Sequence, residues 1–159
     1  MTLPAPATGE RFLVNVCNHA VLDVIGRVRA AHEEIDPFLI ESQDDGLPYD
    51  RRKSRRIQLR MPLILLPVER TLERADVVEV FGPEQLAMTR DISTLGLGVL
   101  HDEPIVTDYA VIQFDIPGEA PCRLLYEVRW TVRKTQFSYM TGGRLTAVVD
   151  PYVEESNPA

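Results

Sequence analysis

The chain has 159 residues and a formal net charge of −7, with 45% hydrophobic and 26% charged residues. That is a globular composition large enough for one domain plus an extension. The acidic total excludes a general nucleic-acid binder, which needs a broad basic surface. No apolar run approaches the roughly 20 residues of a membrane-spanning helix.

Met1 to Gly9 has neither a basic flank nor an apolar core, so no signal peptide is expected and the expected location is the cytoplasm. Residues 1–10 read as a disordered start. An N-terminal helical extension follows over 11–40, with a helix expected over roughly 14–35. Val14, Cys17, Val21, Val24, Val28 and Ala31 recur at three- and four-residue steps. The alternation of Phe12, Val14 and Val16 leaves open a short strand, with a helix starting at Asn18 as its cap. Pro37 must end or kink the helix. Residues 41–50 are polar, carry Gly and Pro, and read as a linker.

From residue 51 to 150 the texture is β. Ile57, Leu59 and Met61 alternate with polar residues, and Leu63 to Val68 continues the apolar run. Further strands are expected at Asp76–Phe81, Gln85–Ile92, Gly96–His101, Tyr109–Ile116, Arg123–Val132 and Arg144–Val149. The turn signals between them include Pro117-Gly118-Glu119 and Thr141-Gly142-Gly143. Short strands with little room for helices predict a mainly β fold, a small antiparallel barrel. The tail over 151–159 reads as frayed.

Two stretches carry chemistry. Of 17 Lys and Arg, six fall within ten residues: Arg51, Arg52, Lys53, Arg55, Arg56 and Arg60. Guanidinium keeps its charge, binds phosphate through paired hydrogen bonds and stacks on flat rings, so arginine-rich clusters favour phosphate together with a base. Taken alone, the cluster is more simply a solvated basic linker or a nonspecific nucleic-acid patch. The second stretch is Asp91-Ile92-Ser93-Thr94-Leu95-Gly96. A carboxylate can accept two hydrogen bonds from the guanine edge, and glycine admits close approach. A plain turn accounts for the same residues.

Together, Asp50-Arg51-Arg52-Lys53-Ser54-Arg55-Arg56 and Asp91-Ile92-Ser93-Thr94-Leu95-Gly96-Leu97-Gly98, about 35 residues apart in a β-rich context, resemble the PilZ domain family. Phe114 to Gly118, Val128-Arg129-Trp130 and Gly143 before the last strand add to the likeness, which covers roughly residues 48–150. The resemblance implies a six-stranded antiparallel β-barrel that binds the bacterial second messenger cyclic di-GMP. In that family Arg52 and Arg56 would grip phosphates and stack on guanine, with Arg51 as an auxiliary contact. Asp91 and Ser93 would read a guanine edge, and Gly96 would give close approach. Gly143 and Arg144 would border the site. Arg55 stands where many members have proline or an apolar residue, so the pair could instead be Arg51 and Arg55.

The function so implied is a receptor or adaptor that changes conformation on ligand binding and signals to an unidentified protein effector in motility, pilus, biofilm or virulence output. The alternative is an interaction scaffold that does not depend on the nucleotide. The helix stripe either packs on the barrel, the simpler reading, or offers a partner or homodimer face. No enzyme motif, cofactor or metal set is evident. Trp130 reads as a structural aromatic, and Cys17 and Cys122 as reduced, buried thiols.

Overall fold

The computed structural model describes residues 10–35, 41–42, 57–58, 60–116 and 118–152. Within them the fold is mainly β with one helix. The strands are β1 (Arg11–Asn15), β2 (Glu41–Ser42), β3 (Ile57–Gln58), β4 (Pro62–Arg70), β5 (Val77–Val80), β6 (Gln85–Ile92), β7 (Gly96–His101), β8 (Tyr109–Phe114), β9 (Cys122–Thr135) and β10 (Ser138–Pro151). Helix α1 spans Asn18–Ile35. All pairings are antiparallel, in the order β1-β5-β4-β8-β9-β10-β7-β6-β3-β2, with β1–β10 and β4–β6 as additional contacts. No helix among the described residues is long and apolar enough to cross a membrane.

Two apolar clusters lie on opposite faces of the shared strands. Leu63 and Leu65 of β4, Ile112 and Phe114 of β8, and Leu124 and Tyr126 of β9 belong to the first. Leu66 and Val68, Val111, and Leu125 on the same strands belong to the second, with Phe12, Val78 and Val149. Because side chains alternate along a strand, burying both faces requires an unbroken apolar run. That is why Leu63 to Val68 shows no polar interruption.

The N-terminal segment departs from a single helix over 14–35. Residues 11–15 are a strand wedged between β10 and β5, with Phe12 opposite both Pro151 and Val78. Val14 matches the helical spacing only by coincidence. Its N–H donates to the Asp76 carbonyl at 2.7 Å, and its side chain packs on the second cluster. The helix starts later. The Cys17 carbonyl accepts from the Val21 N–H at 3.0 Å, which puts Cys17, not Asn18, at the cap position.

Val21, Val24, Ile25 and Val28 then follow the i, i+3, i+4, i+7 pattern and enter the first cluster. At about 1.5–3 kcal/mol for each fully buried side chain, this stripe is a core element and not a free partner face. Cys17 is only half-buried, while Cys122 is buried and its thiol is pushed up by desolvation. At the other end, Pro151 pairs with Phe12, and the Tyr152 N–H donates to the Arg11 carbonyl at 2.9 Å. The chain therefore remains tied to the sheet through 152.

Buried polar groups fasten β7 to β10. The Nδ1 of His101 lies 2.7 Å from the Glu103 carbonyl, so Nδ1 carries the proton and Nε2 accepts from the Thr141 hydroxyl at 2.6 Å. Burial pushes the His101 imidazole below its ordinary 6.5, against weaker opposing pulls from Glu103 and Asp102. The fold thus prefers the neutral ring. In the window below the ordinary value the unfolded chain binds more protons, so stability is lost as pH falls. Thermal unfolding should show a lower midpoint at about pH 5.5 than at about pH 7.5, and the drop should shrink in His101→Gln. An equal drop in both proteins would assign the effect elsewhere.

Candidate functional site

A single row of residues crosses four strands. Asp91 of β6 is opposite Gly98 of β7, Gly98 is opposite Gly142 of β10, and Gly142 is opposite Trp130 of β9. The row has a carboxylate at one end, an indole at the other, and no side chain between. A Cβ on Gly98 would stand 2.5 Å from Asp91 Oδ1, and one on Gly142 would overlap the Trp130 ring. Both side chains therefore lie down over the glycines. The resulting hollow, of about 130 Å³, is lined also by Arg90, Ser93, Gly96, Arg129 and Gly143.

Two β-bulges shape its walls. Thr89 pairs with Val99 and Asp91 with Gly98, which leaves Arg90 as an extra residue on β6. On the opposite wall Trp130 pairs with Gly142 and Val128 with Gly143, which leaves Arg129 extra on β9. In a regular strand, neighbours point to opposite faces. A bulge removes that constraint and re-aims side chains, so Arg90 joins Asp91 and Arg129 joins Trp130 on one hollow. Each bulge thus delivers an arginine beside the group it flanks.

Arg90 and Arg129 bring two guanidiniums, balanced by the carboxylates of Asp91 and Glu127, and Arg90 also donates to Met140 Sδ at 2.6 Å. Arg129 Nε rests 2.8 Å from Glu127 Oε1, with the Arg129 side chain 55% exposed. Exposed pairs of this kind contribute about 0–1 kcal/mol, so an incoming anion can redirect Arg129.

The segment between β6 and β7 is a closed turn. The Ser93 N–H donates to the Gly96 carbonyl at 3.0 Å, and the Gly96 N–H donates to Ser93 Oγ at 3.1 Å. Ser93 is thus a turn fastener whose hydroxyl retains a proton to donate. Leu145 N–H reaches the Leu95 carbonyl at 2.7 Å and ties the turn to β10. Beneath the floor, the Tyr126 hydroxyl donates to the Leu97 carbonyl at 2.6 Å. Burial, with a smaller contribution from Asp91, pushes that phenol well above its ordinary range, so it stays a neutral donor.

Of the residues read from the sequence, the structure brings Asp91, Ser93, Gly96 and Gly143 to one hollow. Arg144 is exposed and stands opposite Gly96 on the neighbouring strand. Arg51, Arg52, Arg55 and Arg56 lie outside the described residues. The next residue, Ile57, is paired with Ile92, and Gln58 with Asp91.

The expected Thr141-Gly142-Gly143 turn is instead strand interior; the chain reverses between Thr135 and Ser138. The glycines serve close packing by Trp130 and Tyr126, not reversal. The sequence alone gives Arg90 no role, Gly98 and Arg129 a place in the family likeness only, Gly142 a turn and Trp130 a structural role. The adjacent pairs Arg90-Asp91 and Arg129-Trp130, each breaking an alternating strand, are the signal that could have found them.

Among the described residues no group of three or more His, Cys, Asp or Glu is placed to hold a metal ion. No protein-family model matches the chain, and no curated protein matches it.

Proposed function

We propose that this protein is a PilZ-type receptor for cyclic di-GMP, with the glycine-floored hollow holding a guanine. The observation that carries the reading is the pair of bulges that set Arg90 with Asp91, and Arg129 with Trp130, around a floor without side chains. Asp91 would accept from the guanine ring N–H and amino group, while adenine offers a ring acceptor there and is refused. Trp130 presents an aromatic face, and the arginines supply permanent charge for the phosphates.

The hollow's 130 Å³ falls below the roughly 300–1,000 Å³ of a complete small-molecule pocket, so it houses part of such a ligand. The rest falls to the arginine cluster. Arg56 is bonded to Ile57, the partner of Ile92, and consecutive Cα atoms are about 3.8 Å apart. The barrel reading draws support from the pairing sequence β4-β8-β9-β10-β7-β6, which returns to β4 through the β4–β6 contact. Ligand contact with the cluster beside residues 41–50 would shift the balance between two conformations and signal to a protein effector.

Calorimetry with cyclic di-GMP tests this directly. The unmodified protein should bind it and refuse cyclic di-AMP. Arg52→Ala with Arg56→Ala should weaken binding at least about a hundredfold, since each charge-assisted bond contributes about 1.5–3 kcal/mol. Absence of binding by the unmodified protein would sink the proposal. Intact affinity in Asp91→Ala would remove the guanine-reading role alone.

A further inference from the structure

β9 runs on past its neighbour β8 as an edge strand, while β10 on its inner side stays paired with β7 as far as Tyr139. Strand β8 pairs with β9 only from Cys122 to Glu127, and the Val128 N–H reaches the Asp108 carbonyl at 2.9 Å. From Arg129 to Thr135 the other edge of β9 continues with β10, but no described strand covers this outer edge. Every residue of that stretch is exposed. Unpaired alternate N–H and C=O groups on such an edge are a template for another strand.

The chemistry of this region differs from that of the chain. Between Val128 and Val149 there is no Asp or Glu, whereas the protein as a whole carries −7. Arg129, Arg133 and Lys134 lie on the uncovered stretch, interleaved with Trp130 and Val132, which are 43% and 45% exposed, and Phe137 at the tip is 74% exposed.

We propose that the outer edge of β9 from Arg129 to Thr135 is a docking site for an acidic, extended segment of a partner protein, which adds to the sheet as a further antiparallel or parallel strand. Three features select that occupant. An open edge offers donors and acceptors in alternation, which a peptide backbone matches. A nucleic-acid backbone, whose phosphates only accept, does not. Pairing this edge with the same edge of a second copy would gather six cations and no acid on one ladder, and like charges held that close repel. An acidic segment puts carboxylates opposite those cations, while its apolar residues cover Trp130 and Val132. This site shares Arg129 and Trp130 with the hollow but uses neither Asp91 nor residues 51–56, so peptide binding by Asp91→Ala separates failure of this site from failure of the nucleotide reading.

The test uses the full chain and a fluorescent peptide of about eight residues alternating Glu with Val or Thr, a length that spans the edge. A second peptide has the same side chains with alternate backbone amides N-methylated, which keeps the charge and blocks strand pairing. Anisotropy should show binding of the plain peptide and at least about tenfold weaker binding of the methylated one. Lys134→Glu, exposed and outside the hollow, should weaken the plain peptide by about fivefold or more while the thermal midpoint stays unchanged. Amide exchange should slow within 129–135 when the plain peptide is added. Equal binding of the two peptides would overturn strand addition. So would absence of binding, or a single-stranded oligonucleotide binding as well as the peptide.

Discussion

Replacing Gly143 with alanine should destabilise the protein by about 3 kcal/mol or more, at or beyond the upper end of the usual range for overpacking a core. The added Cβ would meet the Glu127 carbonyl and fall 2.7 Å from Tyr126 Cζ. Neither neighbour can give way easily. The carbonyl belongs to the strand paired with β10, and Tyr126 is fully buried with its hydroxyl held by the Leu97 carbonyl. Gly26→Ala provides the contrast: it lies in the helix interior with nothing within 4 Å of a built Cβ. That change should stabilise by roughly 0.5–1 kcal/mol. Urea unfolding of the two variants measures both, and a Gly143→Ala loss under about 1 kcal/mol would show that β9 and β10 yield more than their packing implies.

Truncating Phe12 to alanine should remove about 3–5 kcal/mol, the range for a fully buried aromatic. Phe12 has 0% exposure and joins Val78, Val80 and Val149 in the second cluster. Its strand bridges β10 and β5, so loss of its side chain empties space where those two strands are joined. The thermal midpoint should fall by on the order of 10 °C for a domain of this size. Val16→Ala, only four residues on but 75% exposed, should move stability by no more than about 0.5 kcal/mol. A mild effect at Phe12 would mean that residues 11–15 sit on the fold as an appendage rather than forming part of it.

Asp91, Ser93 and Gly96 were legible as a candidate site because they are close in sequence, and a turn keeps such residues together whatever surrounds it. The strands Gln85–Ile92 and Gly96–His101 were equally legible, bounded by turn residues and rich in apolar side chains. Arg90 and Arg129 were not. Their place in the hollow depends on two register shifts, and register is a property of two strands, not of one. Gly142 and Gly143 were misread for the same reason: local chemistry makes a glycine pair a turn, but the side chains of Trp130 and Tyr126 from another strand claim that space.

By itself the sequence determined the mainly β character, the helix stripe from Val21 to Val28 and the short Asp91-to-Gly96 motif, since each rests on periodicity or near neighbours. Only the tertiary structure decided that Phe12 and Val14 belong to a strand, that the helix stripe faces the core, and that Asp91 and Trp130 close opposite ends of one glycine floor. Those outcomes turn on which distant segments share a ladder. Nothing in a residue's own neighbourhood along the chain specifies its partner across 40 or more positions, as for Phe12 with Val78 or Gly98 with Gly142, where backbone pairing and apolar burial together outweigh local preference.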